Sequence, residues 1–595
     1  ISSIKNARLV VDKLYRYGHD KDFSSWKNNI CIAADDGDEA IHAEQADRGS
    51  DTLLLKNTSQ PRLGFRVNKI YIDSYYMDPQ TKKYPEANRE LMKQFNEGML
   101  VFNYIGHNDS EVGFTGEGLF SRYEMDHLTN TRLPLFITIT CDYCQFDAED
   151  VSAGENVFLN PSAGAIALIT TTRVVYTDGN DKINRRLMKR LLERDSNGSP
   201  LRIGDVLKLA KRDFNTEIDK NKLNYVLIGD PALKLAYPEH SIQVTRINGN
   251  SGEKNIEMIP GKNYTVEGEI RSHQNELLSD FNGYIYYNLY DKEKQFTTLA
   301  HQDKKTWTYT HRPDLLTTGK GTIQNGTFRI TVTLPIDNSH SGKSGLLNLY
   351  AYDESGREAN GYTDKLIVST AVEPITEDIQ GPDIEFAGIN DDSFTEGILV
   401  NNPATFVCKF SDPSGIWSGN SLGKQMTLSL DGACIEENVA RYYKPIAESE
   451  IPEGEFIYPL PRLSNGLHTL TFKVFDTLGN SSEVTIAFEV KENSETYTIS
   501  LEEEPATERA TISCQDQNGN DVTESKHTRI SVTNTLGEEI WSYETTENNL
   551  FPLTWNLQDN NGKRVSAGQY YCKGYFETSA GTIVTPAKKI VVITQ

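Results

Sequence analysis

Tryptophan and methionine are scarce in this chain, five and seven residues among 595, whereas tyrosine and phenylalanine number 29 and 23. That balance suits a soluble protein rich in β-structure. Cysteine is sparse too: the seven are scattered, only Cys141 and Cys144 lie close together, and this excludes a disulfide-dense scaffold. An odd count leaves at least one thiol free. Cys31 falls in an apolar strand pattern. Cys408, Cys434, Cys514 and Cys572 fall in β-rich segments, where burial as small hydrophobes is expected and Cys408 and Cys434 are the pair placed to bridge one sandwich. No apolar run reaches transmembrane length. Basic residues are outnumbered, 60 against 84 acidic ones, so the net charge of −24 leaves no broad basic face for nucleic acid or anionic lipid. The chain opens on Ile1 with neither a Met nor a signal peptide, as a processed or truncated product would.

What is present is organised in two grammars. The length exceeds one hydrophobic core and fits about three to five domains. Up to Pro238, helical and strand patterns alternate: "NARLVVDKLYRY" has helical spacing, "NNICIAADD" and "VNKIYIDSYY" read as strands, "ANRELMKQFNEG" as a helix and "MLVFNYIGH" as a strand. "LPLFITITC", "GAIALITTTR" and "NYVLIGDPALKL" continue the strands, with helical stretches between them. Strands apolar on both faces belong to a parallel sheet covered by helices, an α/β domain over residues 1–237. Beyond it, short alternating segments separated by turn residues read as three β-sandwiches, residues 238–375, 376–494 and 495–595, divided by linker-like stretches near "STAVEPITEDIQGPD" and "VKENSETYTIS".

Two of the strands end on reactive side chains. "VFNYIGH" stops at His107 and "LPLFITITC" at Cys141. In an open parallel sheet the C-terminal strand ends form the crevice in which ligands and catalytic groups collect. The step of 34 positions from one to the other holds one crossover helix, which makes their strands neighbours about 4.8 Å apart. A thiol needs a proton acceptor to act as a nucleophile near neutral pH, and imidazole supplies it. The amides of Asn108 and Cys141 are candidates for an oxyanion hole. A redox role for "CDYC" competes with this, but the polar "QFDAED" that follows makes a poor helix start, which such a motif requires.

At these residues the chain resembles the gingipain-type cysteine peptidases of the caspase-like clan, and among them the C-terminal signal peptidases of the type IX secretion system. The matching stretches are "VDKLYRY", "IAADD", "NYIGH", "LPLFITITCDYCQFD", "GAIALITTTRVVY" and "LIGDPALKLAYP"; the β-domains are similar in order and character, and the closing "PLTWNLQDNNGKRVSAGQYYCKGYF" resembles a FlgD-like type IX C-terminal module. The resemblance implies a caspase-like fold followed by Ig-like domains, with Cys141 as nucleophile, His107 as its base, Cys144 as a bystander and Asp36 as the acid that orients the imidazole. An acidic loop of Asp35, Asp36, Asp38 and Glu39 that is merely solvated, or that holds a structural Ca²⁺, is an equal reading of that stretch. No other metal or cofactor is expected. Arg173 and Tyr176 are candidates for the substrate-pocket wall. Where the family has Gly after its catalytic His this chain has Asn108, a residue tolerant of unusual backbone angles.

The same resemblance implies a cell-surface, outer-membrane-associated endopeptidase that removes C-terminal sorting domains from type IX cargo and passes the acyl group to an amine of anionic lipopolysaccharide. It also implies docking to an outer-membrane barrel protein of that system. A secreted digestive protease and an inactive surface adhesin are the alternatives. The helix "KNARLVVDKLYRY" lies inside the family's catalytic region, so the sheet starting at "NNICIAADD" is expected to expose an edge or an apolar helix face. Val10, Val11 and Leu14 are then expected to be buried by a separate N-terminal fragment of the same precursor.

Overall fold

The computed structural model describes the chain except residues 1–2, 21, 57, 59–60, 109–112, 115–117, 215–220, 303, 337–341, 371–377, 391–398, 401, 420, 422, 437, 448–450, 491–496, 503–504, 517–519, 524, 535–538, 549, 579–580 and 594–595. Residues 371–377 and 491–496, within the two linker-like stretches, lie outside the described residues.

The first unit runs α1 (Ile4–Gly18), β1 (Asn29–Ala34), α2 (Ile41–Leu54), β2 (Arg66–Tyr71), α3 (Pro85–Glu97) and β3 (Val101–Ile105). A small hairpin of β4 (Gly113–Phe114) and β5 (Phe120–Ser121) follows, then α4 (Arg122–Asp126), β6 (Leu135–Ile139), α5 (Ala153–Leu159), β7 (Ala167–Thr171), α6 (Thr177–Leu191), α7 (Ile203–Arg212), α8 (Asn221–Asn224) and β8 (Tyr225–Ile228). The central sheet has the order β2-β1-β3-β6-β7-β8. β3 and β6 are buried at every position, because successive side chains enter opposite helical layers. Ile30, Ile32, Leu135, Ile137 and Ile139 pack with α2, α6 and α7, while Cys31, Phe102 and Phe136 pack with α3, α4 and α5.

The parallel-sheet reading needs one correction: β8 runs antiparallel to β7. The packed helices α6 and α7, followed by the short α8, separate these strands. The first carries the chain back and the second forward, so it re-enters the sheet from the end where β7 left.

The expected uncovered helix face is also corrected. Val10 is buried in the chain's own core and Leu14 packs against it, while Val11 is 62% exposed. Lys13, on the same face, donates from Nζ to the carbonyls of Phe158 and Ala163, at 3.0 Å each, and burial lowers its pKa to about 7. β1 is interior, flanked by β2 and β3. Beside β2, the 294–311 hairpin of the next unit docks: Asp73 accepts the amides of Leu299, Ala300 and His301 at 2.7–2.9 Å, and Lys69 donates to Thr310 O at 2.9 Å.

In the second unit an eight-stranded and a three-stranded sheet share one core. Its eight-stranded sheet closes on itself, because Ala359–Gly361 pair in parallel with His240–Ile242. Alternation reports one buried face per strand, which a closed sheet and a sandwich share. The third unit packs a four-stranded on a five-stranded sheet, Asp383 to Val490, and the fourth a three-stranded on a five-stranded sheet, Thr498 to Val592; each pair shares one core. All seven cysteines are free: Cys408 is fully buried and Cys434 exposed, so they form no bridge.

Candidate active site

The register of the sheet builds the site. Ile105 of β3 lies opposite Ala34 of β1 and Ile139 of β6, so the residues two positions beyond each strand emerge side by side. They are Asp36, His107 and Cys141.

Gly106 sets the His107 backbone. Its φ is +156°, and a Cβ there would lie 2.3 Å from Asp35 Cβ and 2.7 Å from the Tyr104 hydroxyl oxygen, so only glycine fits. The His107 amide donates to Asp35 Oδ2 at 2.9 Å, and its carbonyl accepts the Tyr104 hydroxyl at 2.8 Å. The imidazole itself is 59% exposed.

Its carboxylate partner is Asp38, at 2.9 Å from Nε2 to Oδ2, and not Asp36. Asp36 is buried and faces elsewhere: it accepts the Tyr84 hydroxyl through Oδ2 and the Gly37 amide through Oδ1. The reason is the turn after β1, in which Gly37, Asp38, Glu39 and Ala40 all have positive φ, between 54° and 92°. Each non-glycine residue in that region costs about 1–2 kcal/mol, so the surroundings hold the turn. It carries Asp38 across to the imidazole and starts α2, whose first turn brings His42 beneath. The Nε2 atom of His42 lies 3.4 Å from Asp38 Oδ2 and 3.5 Å from His107 Nε2, with the two rings edge to face.

Cys141 sits at a sharp turn, with Asp142 at φ +48° directly after it. Its Sγ donates to Val175 O at 3.4 Å and accepts the Val175 amide at 3.5 Å. Asn108 ties the two strand ends together through Nδ2, which donates to Cys141 O at 3.2 Å. Among the described residues the backbone N–H of neither Asn108 nor Cys141 has an acceptor. No hydrogen bond joins Cys141 Sγ to His107 among the described residues; such contacts tighten when substrate binds.

Cys144 is a different kind of thiol. It is fully buried, accepts Ser152 Oγ at 3.8 Å and packs on Gly154, and burial pushes its pKa up to about 11. It therefore stays protonated near neutral pH, away from substrate. Arg173 forms a two-point bridge to Asp147, at 3.1 and 2.6 Å, in the loop after Cys141. Tyr176, 71% exposed, and Val174 flank Val175 and so present apolar surface next to the thiol.

Sequence reasoning put Asp38 in the acidic loop without a partner and missed His42. The four-residue spacing of Asp38 and His42 at a helix start was the available signal. Asp35, His42 and His107 bring one ligand atom each within 4.8 Å of one another, as do Asp378, Asp412 and Asp476 in the third unit. At the first site, a neutral His107 with its proton on Nε2, facing Asp38 Oδ2 at 2.9 Å, has its lone pair on Nδ1.

Residues 1–236 match the family described as Peptidase family C25. No curated protein matches the chain. Among solved structures it is similar to dimeric latent PorU from Porphyromonas gingivalis, with 24% identity over 73% of this chain and a TM-score of 0.31. It is also similar to the complex of RgpB pro- and mature domains from the same organism, with 16% identity, a TM-score of 0.32, and coverage of 62% of this chain and 75% of that one. The chain spans 41% of the length of the PorU chain.

Proposed function

We propose, from the match of residues 1–236 to peptidase family C25, that this chain is a cysteine endopeptidase whose nucleophile is Cys141 and whose base is His107. The observation that carries the reading is the register-matched emergence of the two side chains, with Asp38 on the imidazole. His107 Nδ1 takes the thiol proton, and the thiolate attacks the scissile carbonyl. The oxyanion forms against the amides of Asn108 and Cys141. His107 then returns the proton to the leaving amine, and a thioester on Cys141 remains. Water or an amine resolves it.

The substrate we propose is a type IX cargo protein carrying a C-terminal sorting domain, and the acceptor an amine of anionic lipopolysaccharide at the cell surface, with an outer-membrane barrel protein as docking partner. Support comes from the six sequence stretches that resemble the type IX signal peptidases, all within residues 8–238. The test is incubation of the full chain with such a cargo protein, with and without an amine acceptor, followed by mass spectrometry of the new C-terminus. A product lengthened by the acceptor, absent with Cys141→Ala, supports transfer. Hydrolysis alone reduces the reading to a peptidase, and equal cleavage of unrelated proteins turns it to a general protease.

A further inference from the structure

His42, which the proposed peptidase chemistry does not use, completes a triangle with the His107–Asp38 pair. His42 Nε2, His107 Nε2 and Asp38 Oδ2 are separated by 2.9, 3.4 and 3.5 Å. Tetrahedral Zn²⁺ with nitrogen and oxygen ligands at about 2.0–2.2 Å needs its donors about 3.3–3.5 Å apart. Two of the three separations meet that, and the third lengthens by a few tenths of an ångström when the Asp38 side chain, half exposed, turns. Two imidazoles and one carboxylate are a donor set suited to Zn²⁺ and ill suited to Ca²⁺ or Mg²⁺, which take oxygen. Asp35, with a carboxylate oxygen within 4.8 Å of both imidazole ligand atoms, adds negative charge beside the triangle.

We propose that His42, His107 and Asp38 form a Zn²⁺ site whose occupation reversibly switches the peptidase off. The inhibitory half rests on the proposed Cys141–His107 dyad; the binding half does not. Without metal, the neutral ring of His107 carries its proton on Nε2, facing Asp38, and its lone pair on Nδ1. A metal on Nε2 needs a lone pair there, so the ring proton leaves Nε2 and the neutral ring carries it on Nδ1. Nδ1–H then has nothing with which to accept the thiol proton. No bond to Cys141 is involved.

The test uses the full chain with Cys141→Ala as background, titrated calorimetrically with Zn²⁺ in excess Ca²⁺. The expected result is one Zn²⁺ at this site with affinity lowered about 10- to 100-fold or more by His42→Ala or Asp38→Asn. Co²⁺ in its place is expected to give the intense visible absorption of a four-coordinate ion. Asp38→Asn alters an exposed side chain, so it carries the test even where His42→Ala, at a buried position, unfolds. Unchanged affinity in Asp38→Asn, or loss of binding on replacing Cys141 alone, overturns the site. In the Cys141 protein, Zn²⁺ is expected to suppress labelling of Cys141 by a thiol-directed inhibitor until chelator is added; labelling that persists at saturating Zn²⁺ overturns the switch. Zn²⁺ binding as described with no labelling under any condition upholds the site and overturns the peptidase reading.

Discussion

Asp38 Oδ2 and His107 Nε2 meet at 2.9 Å across a turn of four consecutive positive-φ residues, while Asp36, two positions closer to its strand, is bound to Tyr84 instead. Strain of that kind persists only where the surroundings over-determine it, and here it places the carboxylate that fixes the imidazole's tautomer.

Asp38→Asn is expected to lower kcat/KM by about 10²-fold, because the amide no longer holds the proton on Nε2. Asp36→Asn keeps an oxygen for the Gly37 amide and is expected to lose far less, with its remaining effect removed in a Tyr84→Phe background. Steady-state kinetics on a peptide substrate checks both; equal losses would restore Asp36 as the orienting acid.

Cys141→Ala is expected to abolish processing with the fold intact, by circular dichroism and thermal unfolding. Cys144→Ala is expected to retain most activity and lose about 1–2 kcal/mol of stability, since it removes a fully buried sulfur and the Ser152 contact. Matching activity losses would revive the redox reading of the two thiols.

At Gly106, alanine forces a Cβ to within 2.3 Å of Asp35 Cβ in a backbone region that disfavours side chains. Gly106→Ala is expected to lose about 1–3 kcal/mol and most activity. Denaturant unfolding with parallel rate measurement tests this, and a fully active variant of wild-type stability would show that the His107 backbone tolerates movement.

The pH dependence of the third unit follows from Asp412, whose pKa is raised from 3.8 to about 7, first by burial and then by neighbouring Asp476 and Asp378. Folded Asp412 holds a proton that the unfolded chain releases, so stability from this group is present below about pH 4 and lost as pH rises to about 7. Asp412→Asn keeps the acceptor for the Ser414 amide and is expected to lack that fall. Calorimetric melting of the full chain at pH 5 and pH 7.5 checks it, the unit's transition shifting less in the variant.

Tyr176→Ala is expected to raise KM with kcat nearly unchanged, since the ring is 71% exposed and the thiol's hydrogen bonds go to the Val175 backbone, which the substitution leaves in place. A selective loss of kcat would instead place Tyr176 in the chemistry.

Much of this protein is legible along the chain. Strands buried on both faces announce themselves as unbroken apolar runs, and their abrupt ends at His107 and Cys141 mark a crevice before any coordinates are known. The alternating β-segments after Pro238 are equally plain, because the period of two is a local property. Three features were decided only by tertiary structure. Which of three nearby aspartates reaches the imidazole depends on a left-handed turn that no propensity favours, packed on α2 and tied through Asp38 to His107. The reversal of β8 and the closure of the second unit's sheet depend on pairings between segments far apart in sequence, which leave the pattern of each strand unchanged. The unequal fates of Cys141 and Cys144, three residues apart, come from burial: Gly154 and Ser152 enclose one sulfur, while the other stands partly exposed at the strand end.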